Sequence, residues 1–118
     1  MSETLNQPTA GSFRHIVMFQ FKKAATAEEI VAVEKSFAEL PSKIGSIIAY
    51  EWGRSESVEG KNAGFSHCFF LTFKDKAGLE EYIPHPSHLE FKKLLLPILE
   101  KALVYDYTAK NSDKPVGA

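Results

Sequence analysis

The sequence has little of what several classes of protein require. Its 118 residues include one cysteine, Cys68, so no disulfide can form within the chain, and this usage is typical of a reducing cytoplasm. No apolar run approaches the roughly 20 residues that cross a bilayer, and the first residues lack the basic and apolar regions of a secretory signal. We therefore predict a cytoplasmic protein with no membrane partner.

An excess of charge is also missing. The chain has 14 Lys and Arg against 15 Asp and Glu, for a formal net charge of −1. This balance gives no electrostatic reason to expect nucleic acid as a partner. The 4 histidines lack the spacing of common metal sites, and no cofactor motif is present, so we predict neither a metal nor a cofactor.

Polar residues without periodicity occupy both ends of the chain. Residues 1–12 predict a disordered arm and residues 110–118 a flexible tail. Between them, residues 13–109 contain no repeat and no linker, which predicts one domain with its own core.

Within that domain, apolar periodicity predicts strands and helices in the order β-α-β-β-α-β. A capping box at Thr26 opens the first helix, and Pro41 is expected to end it. Gly53 is a candidate for a bulge. The predicted strands are Arg14–Lys22, Ser46–Arg54, Phe65–Lys74 and Leu103–Thr108.

The second helical region is predicted to be divided in two. Asp75 caps a short helix, Ser87 caps a longer one, and Pro97 kinks or shortens the latter. The order of elements is that of an α+β, ferredoxin-like subunit, in which a four-stranded antiparallel sheet carries its helices on one face.

Both faces of the predicted sheet are apolar. His15 and Phe19 share one face of the first strand, and His67 and Phe69 share one face of the third. The helices can cover only one face of the sheet, so the other apolar face would be exposed in a single chain. We therefore predict a homodimer whose two sheets pack face to face around a cavity. The alternation of side chains along the strands does not show which face the helices cover. We expect these four side chains to line the cavity between the sheets.

The segment Tyr82-Ile83-Pro84-His85-Pro86-Ser87-His88 holds two of the histidines. Its prolines fix the backbone and push the preceding residues out of helical geometry, which predicts a stiff corner between two helices. Such a corner can hold the Tyr82 phenol and the His88 imidazole in fixed positions for acid–base chemistry. The alternative is that the prolines only separate two helices. His85, between them, is expected to be exposed.

Several short segments together resemble one family. They are His15-Ile16-Val17, Trp52-Gly53, Phe65-Ser66-His67, the Tyr82–His88 segment and Asp106-Tyr107. They resemble the stress-responsive dimeric α/β-barrel (Dabb) family. The resemblance implies a dimer in which two ferredoxin-like subunits form one barrel.

Within this family, the chain is similar to a branch of plant polyketide cyclases at the active-site positions. That similarity implies catalytic roles for Tyr82 and His88, and cavity positions for His15 and His67. It predicts binding of a small hydrophobic molecule, and cyclase or lyase chemistry on a carbonyl compound without a cofactor. The alternative is a non-enzymatic dimeric stress or ligand-binding protein, and the sequence does not decide between them.

Overall fold

The computed structural model describes residues 11–110, whose strands and helices follow the predicted order with the second helical region divided in two. Most of the predicted arm and tail lies outside the described residues. Gly11 and Ser12, which the prediction assigned to the arm, make backbone hydrogen bonds with Ala109. The elements are β1 (Phe13–Phe21), α1 (Ala27–Lys43), β2 (Ile47–Arg54), β3 (His67–Phe73), α2 (Lys76–Tyr82), α3 (Pro86–Leu95) and β4 (Leu99–Thr108).

The strands form one antiparallel sheet in the order β2-β3-β1-β4. The central strand β1 pairs with β3 and β4, so that His15 lies opposite Leu71 on one side and Asp106 on the other. Each helical connection therefore joins strands that are not neighbours, as in ferredoxin-like folds. The predicted fold class is confirmed.

The helices cover the sheet face that carries the aromatic rows. His15, Phe19, His67 and Phe69 are all buried there, with 8% or less of each residue exposed. The Phe37 ring of α1 stacks on Phe69 with 4.2 Å between ring centroids. Our expectation that these four side chains face a partner sheet is wrong. Alternation determines which residues share a face, but it carries no information on which face the helices cover.

Helix α1 begins as predicted and ends later. Thr26 Oγ1 accepts a hydrogen bond from the Glu29 amide, and the Glu29 side chain accepts one from the Thr26 amide, which completes the capping box. Pro41 lies inside the helix, so the prediction that it ends α1 is wrong. A proline removes one donor, and helical bonding resumes directly afterwards, where the Ile44 amide donates to the Leu40 carbonyl over 2.8 Å.

The proline corner is tighter than predicted. Asp75 caps α2 as expected, but His85, not Ser87, caps α3: its Nδ1 accepts a hydrogen bond of 3.0 Å from the Ser87 amide. Pro86 occupies the first helical position, where a missing N–H costs nothing, and this moves the cap back by two residues from Ser87. His85 is therefore half-buried, which corrects the expectation that it is exposed.

The start of β4 and the position of the strand irregularity differ from the prediction. Pro97 shortens α3 as expected, because the helix ends at Leu95 and a single 3-10 turn follows. β4 then begins at Leu99, earlier than predicted. The pairing of β2 with β3 shifts register between Ile47 and Ala49, while Gly53 stays paired, so the irregularity is not at the predicted glycine.

The sheet face opposite the helices, called the open face below, carries mainly apolar side chains, and no helix or strand among residues 11–110 covers it. Tyr105 is 61% exposed there, and its ring contacts that of Tyr107 at 6.0 Å. An apolar face of this kind marks an interface or a ligand site. The apolar residues of the open face are Ile16, Met18, Cys68, Phe70, Leu103, Tyr105 and Tyr107, and Arg14, Glu51 and Thr72 lie on the same face.

Candidate functional site

A cleft of about 230 Å³ lies between the sheet and the helices α2 and α3. Its ionisable lining residues are His15, Tyr82, His88 and Lys92, and its remaining lining is aliphatic or phenylalanine, including Phe19, Phe37 and Phe91. The cleft is smaller than the usual pocket for a drug-sized ligand, which measures about 300 to 1,000 Å³. The arrangement suits a small apolar molecule that carries a few polar atoms.

Tyr82 is the last residue of α2 and is 1% exposed. Its ring stacks on that of His88 with 4.2 Å between centroids, and the His15 ring meets it edge-on at 5.7 Å. Burial, and to a lesser extent the nearby Tyr50, raises the pKa of the Tyr82 phenol well above its usual value. The phenol therefore keeps its proton. Its hydroxyl makes no hydrogen bond to any residue from 11 to 110, which leaves it free to donate to a ligand.

His88 lies in the first turn of α3 and is held by the proline corner. Its Nδ1 is 2.9 Å from the Ile83 carbonyl oxygen, which can only accept, so Nδ1 carries a proton. In the neutral imidazole the lone pair is then on Nε2, which has no partner among the described residues. Burial lowers the pKa of His88, so the neutral form is favoured at pH 7. His88 can act as a base through Nε2.

His15 is oriented by a carboxylate. Its Nδ1 lies 2.6 Å from Asp106 Oδ1, across the β1–β4 pairing that places the two residues opposite each other. Sequence reasoning missed this role for Asp106. The available signal was an acidic residue within the apolar strand that closes the chain, but its partner depends on the strand register.

His67 belongs to a separate buried cluster. Its Nε2 is 2.7 Å from Glu34 Oε2, and its Nδ1 is 2.7 Å from Ser66 Oγ. Arg54 binds the same Glu34 oxygen at 2.6 and 2.7 Å. The cluster links α1 to the adjacent ends of β2 and β3, and His67 does not line the cleft. Glu34 carries no motif in the sequence, although it interrupts the buried side of α1.

Of the two phenylalanines predicted for the site, one lines the cleft and the other does not. Phe19 lines the cleft, together with Phe37 of α1. Phe69 is fully buried and does not line it, since the Phe37 ring covers Phe69. Of the six residues predicted for the site, the structure thus brings Tyr82, His88, His15 and Phe19 to one cleft. His67 and Phe69 lie apart from it.

A larger hollow, of about 610 Å³, is lined by Met18, Cys68, Phe70 and Leu103 of the open face. Trp52, Phe65 and His67, at the end of the sheet where β2 and β3 are connected, line it as well. Among residues 11–110, no group of three or more His, Cys, Asp and Glu side chains is placed to hold a metal ion. In the same residues, no helix is long and apolar enough to span a membrane.

Residues 13–109 match the family model of the stress-responsive A/B barrel domain, Dabb. A stress-response A/B barrel domain-containing protein, HS1, from Arabidopsis thaliana is 37% identical over 82% of this chain and 89% of its own. Olivetolic acid cyclase from Cannabis sativa is 27% identical over 82% of this chain and 96% of its own.

Solved structures show the same fold. Hydroxynitrile lyase from Passiflora edulis superimposes with a TM-score of 0.81 at 25% identity, over 90% of this chain and 100% of its own. A dimeric protein with a ferredoxin-like fold from Bacteroides fragilis superimposes with a TM-score of 0.68 at 27% identity, over 83% and 96% of the two chains. With its sheet order, its broken second helix and this match along nearly the whole described chain, the protein belongs to the stress-responsive A/B barrel (Dabb) domain family.

Proposed function

We propose that this protein binds a small hydrophobic carbonyl compound in the cleft and catalyses its cyclisation or cleavage without a cofactor. Tyr82 and His88 are the proposed catalytic residues, and His15 and Phe19 contact the substrate. The observation that carries the proposal is the hydrogen bond from His88 Nδ1 to the Ile83 carbonyl, which leaves Nε2 as the basic nitrogen beside a protonated Tyr82.

The chemistry follows from these two groups. His88 Nε2 removes a proton from the carbon next to the substrate carbonyl, and the Tyr82 hydroxyl donates a hydrogen bond to the oxygen of the enolate that forms. The enolate carbon then attacks a second carbonyl carbon of the same molecule, and the oxygen that becomes an alkoxide takes the proton back from His88. In the cleavage direction, His88 removes the proton of a β-hydroxyl group, the carbon–carbon bond breaks to give a carbonyl and an enolate, and the enolate carbon takes the proton from His88.

The size of the cleft limits the substrate. Since a water molecule takes up about 30 Å³ of liquid, 230 Å³ holds a ligand of about eight non-hydrogen atoms. Two relatives support the reaction class, because one is named a cyclase and another a lyase. Phe69 packs behind Phe19 and Phe37 of the lining, and neither Phe69 nor His67 is proposed to touch the substrate.

We further propose that the protein is a homodimer in which the open faces of two copies pack together. The apolar side chains of this face and the dimeric neighbour with the same fold support this proposal. The cleft lies on the other side of the sheet, so each copy would keep its own site.

Proton abstraction can be measured without knowing the natural substrate. We expect the protein to accelerate exchange of the α-protons of 2-heptanone in D₂O, followed by proton NMR. Tyr82→Phe and His88→Ala should each slow the catalysed exchange by about 100-fold or more, which is the usual contribution of a positioned acid or base. His88→Asn, which keeps a donor for the Ile83 carbonyl but has no base, should be equally inactive.

The matched control is Tyr105→Phe, which removes a phenol hydroxyl from the open face and should leave exchange unchanged. Melting temperatures distinguish lost chemistry from lost structure. If both cleft variants lose stability and the parent protein accelerates no exchange, Tyr82 and His88 are structural. The non-enzymatic ligand-binding protein is then the correct description.

A further inference from the structure

Lys92 is a half-buried cation at the cleft that has no carboxylate partner. It follows His88 by four residues on α3, so the two side chains lie on the same helix face, and both line the cleft. No Asp or Glu among residues 11–110 lies within 4 Å of its amine. The adjacent Lys93 differs in both respects: it is exposed and pairs with Glu90 at 2.9 Å.

The rest of the lining gives Lys92 no counter-charge. The other ionisable lining residues are His15, Tyr82 and His88, and none of these carries a negative charge at neutral pH when the phenol keeps its proton. The carboxylate of Asp106, which binds the Nδ1 atom of the lining residue His15, does not itself line the cleft. An anionic group of a ligand could therefore pair with the Lys92 amine without displacing a carboxylate of the protein.

We propose that the substrate carries an anionic group, a carboxylate in the simplest case, and that Lys92 binds it. This inference rests on the proposed function, because it assigns the substrate class of the same cleft. Lys92 and His88 are four residues apart on α3, about 6 Å along the helix axis. The acidic group and the carbon that loses its proton are thus close together, which describes a short-chain oxo acid.

The proposal is tested by the binding of two probes of the same size. Hexanoate and hexanamide each have eight non-hydrogen atoms and differ in charge. In titrations followed by ¹H–¹⁵N NMR at low salt, we expect the protein to bind hexanoate about fivefold more tightly, the effect of one partly solvated ion pair. Lys92→Met, which keeps the apolar stem, should remove this preference, and Lys92→Arg should keep it.

Lys93→Met is the matched control, because it deletes the same charge one residue further along α3 and outside the cleft. Its preference for hexanoate should equal that of the parent protein. Equal binding of the two probes by the parent protein, or a preference that survives Lys92→Met, overturns this inference and leaves the proposed function standing. Failure of both probes to shift any resonance of the cleft residues overturns both.

Discussion

At the scale of single residues, the two cleft histidines are oriented in the same way. His15 and His88 are each held through Nδ1, the first by a carboxylate and the second by a backbone carbonyl. An imidazole held at one nitrogen has a defined orientation and presents the other nitrogen to the cleft. Because the Ile83 carbonyl can only accept, Nδ1 of His88 carries the proton, and Nε2 carries the lone pair of the neutral ring.

The protonation of His88 leads to a prediction about pH. Burial lowers its pKa below the ordinary 6.5, and the charges of Lys92, His15 and His85 act in the same direction, against the hydrogen bond to Ile83. We expect the ring protons of His88 to titrate in NMR with a midpoint below 6.5 in the folded protein and near the ordinary value in urea. Lys92→Met should raise the midpoint by removing one positive charge.

The same shift affects stability. Since the folded protein binds this proton less tightly than the unfolded chain does, the contribution of His88 to stability is complete above pH 6.5 and is lost as the pH falls through the lowered pKa. The acid limb of the α-proton exchange rate should have the same midpoint as the NMR titration. A folded-state midpoint at or above 6.5 would contradict the assignment of His88 as a neutral base.

Residue types and spacing predict part of this site. Tyr82 and His88 were found from the proline corner, because a local motif contains both residues and the corner itself. Strand phase correctly places His67 on the same sheet face as His15, but it does not show that the helices cover this face or how far His67 lies from the cleft. Its distance from the cleft depends on the register of β3 against β1, and the pairing of His67 with Glu34 depends on the position of α1.

At the scale of elements, Glu34 links α1 to the ends of β2 and β3 through its side-chain contacts. It is 7% exposed, and one of its oxygens accepts from both His67 and Arg54. We expect Glu34→Gln to lower the free energy of unfolding by about 1–3 kcal/mol, because the buried His67 donor loses a charged acceptor. Urea unfolding at fixed protein concentration measures the change.

Glu39→Gln provides the control on the same helix. Glu39 is exposed and pairs with Lys43 at 3.5 Å, so its loss should cost at most about 0.5 kcal/mol. Equal effects of the two substitutions would show that the Glu34 cluster contributes no more than a surface ion pair.

The elements that the sequence predicts well are those with local signals. Thr26 and Asp75 cap helices as expected, because their hydrogen-bond partners lie three residues away. The errors at Pro41 and Ser87 come from treating single residues in isolation. Pro41 lies two residues before the last residue of α1, where it removes a single donor, and Pro86 takes the position that makes its neighbour His85 the cap.

At the scale of the whole molecule, the chain has two apolar surfaces on one sheet and enough helix to cover one of them. The helices take the face with the aromatic rows and enclose the cleft there. The open face keeps tyrosine and aliphatic side chains, among them Leu103, Tyr105 and Tyr107, at 39% to 61% exposure. Burying this face in a second copy removes apolar surface from water without altering the cleft.

Tyr105 provides the test of this assembly, because it is exposed in the single chain and its replacement should leave the fold intact. In light scattering after size exclusion, we expect the parent protein to have twice the 13.2 kDa mass of one chain. Tyr105→Lys should shift it to the mass of one chain, since each copy would bury an ammonium group in the contact between the open faces. Val31→Lys, which adds the same charge at an exposed apolar position on α1, should remain a dimer. If both variants behave alike, the open face does not form the contact between copies.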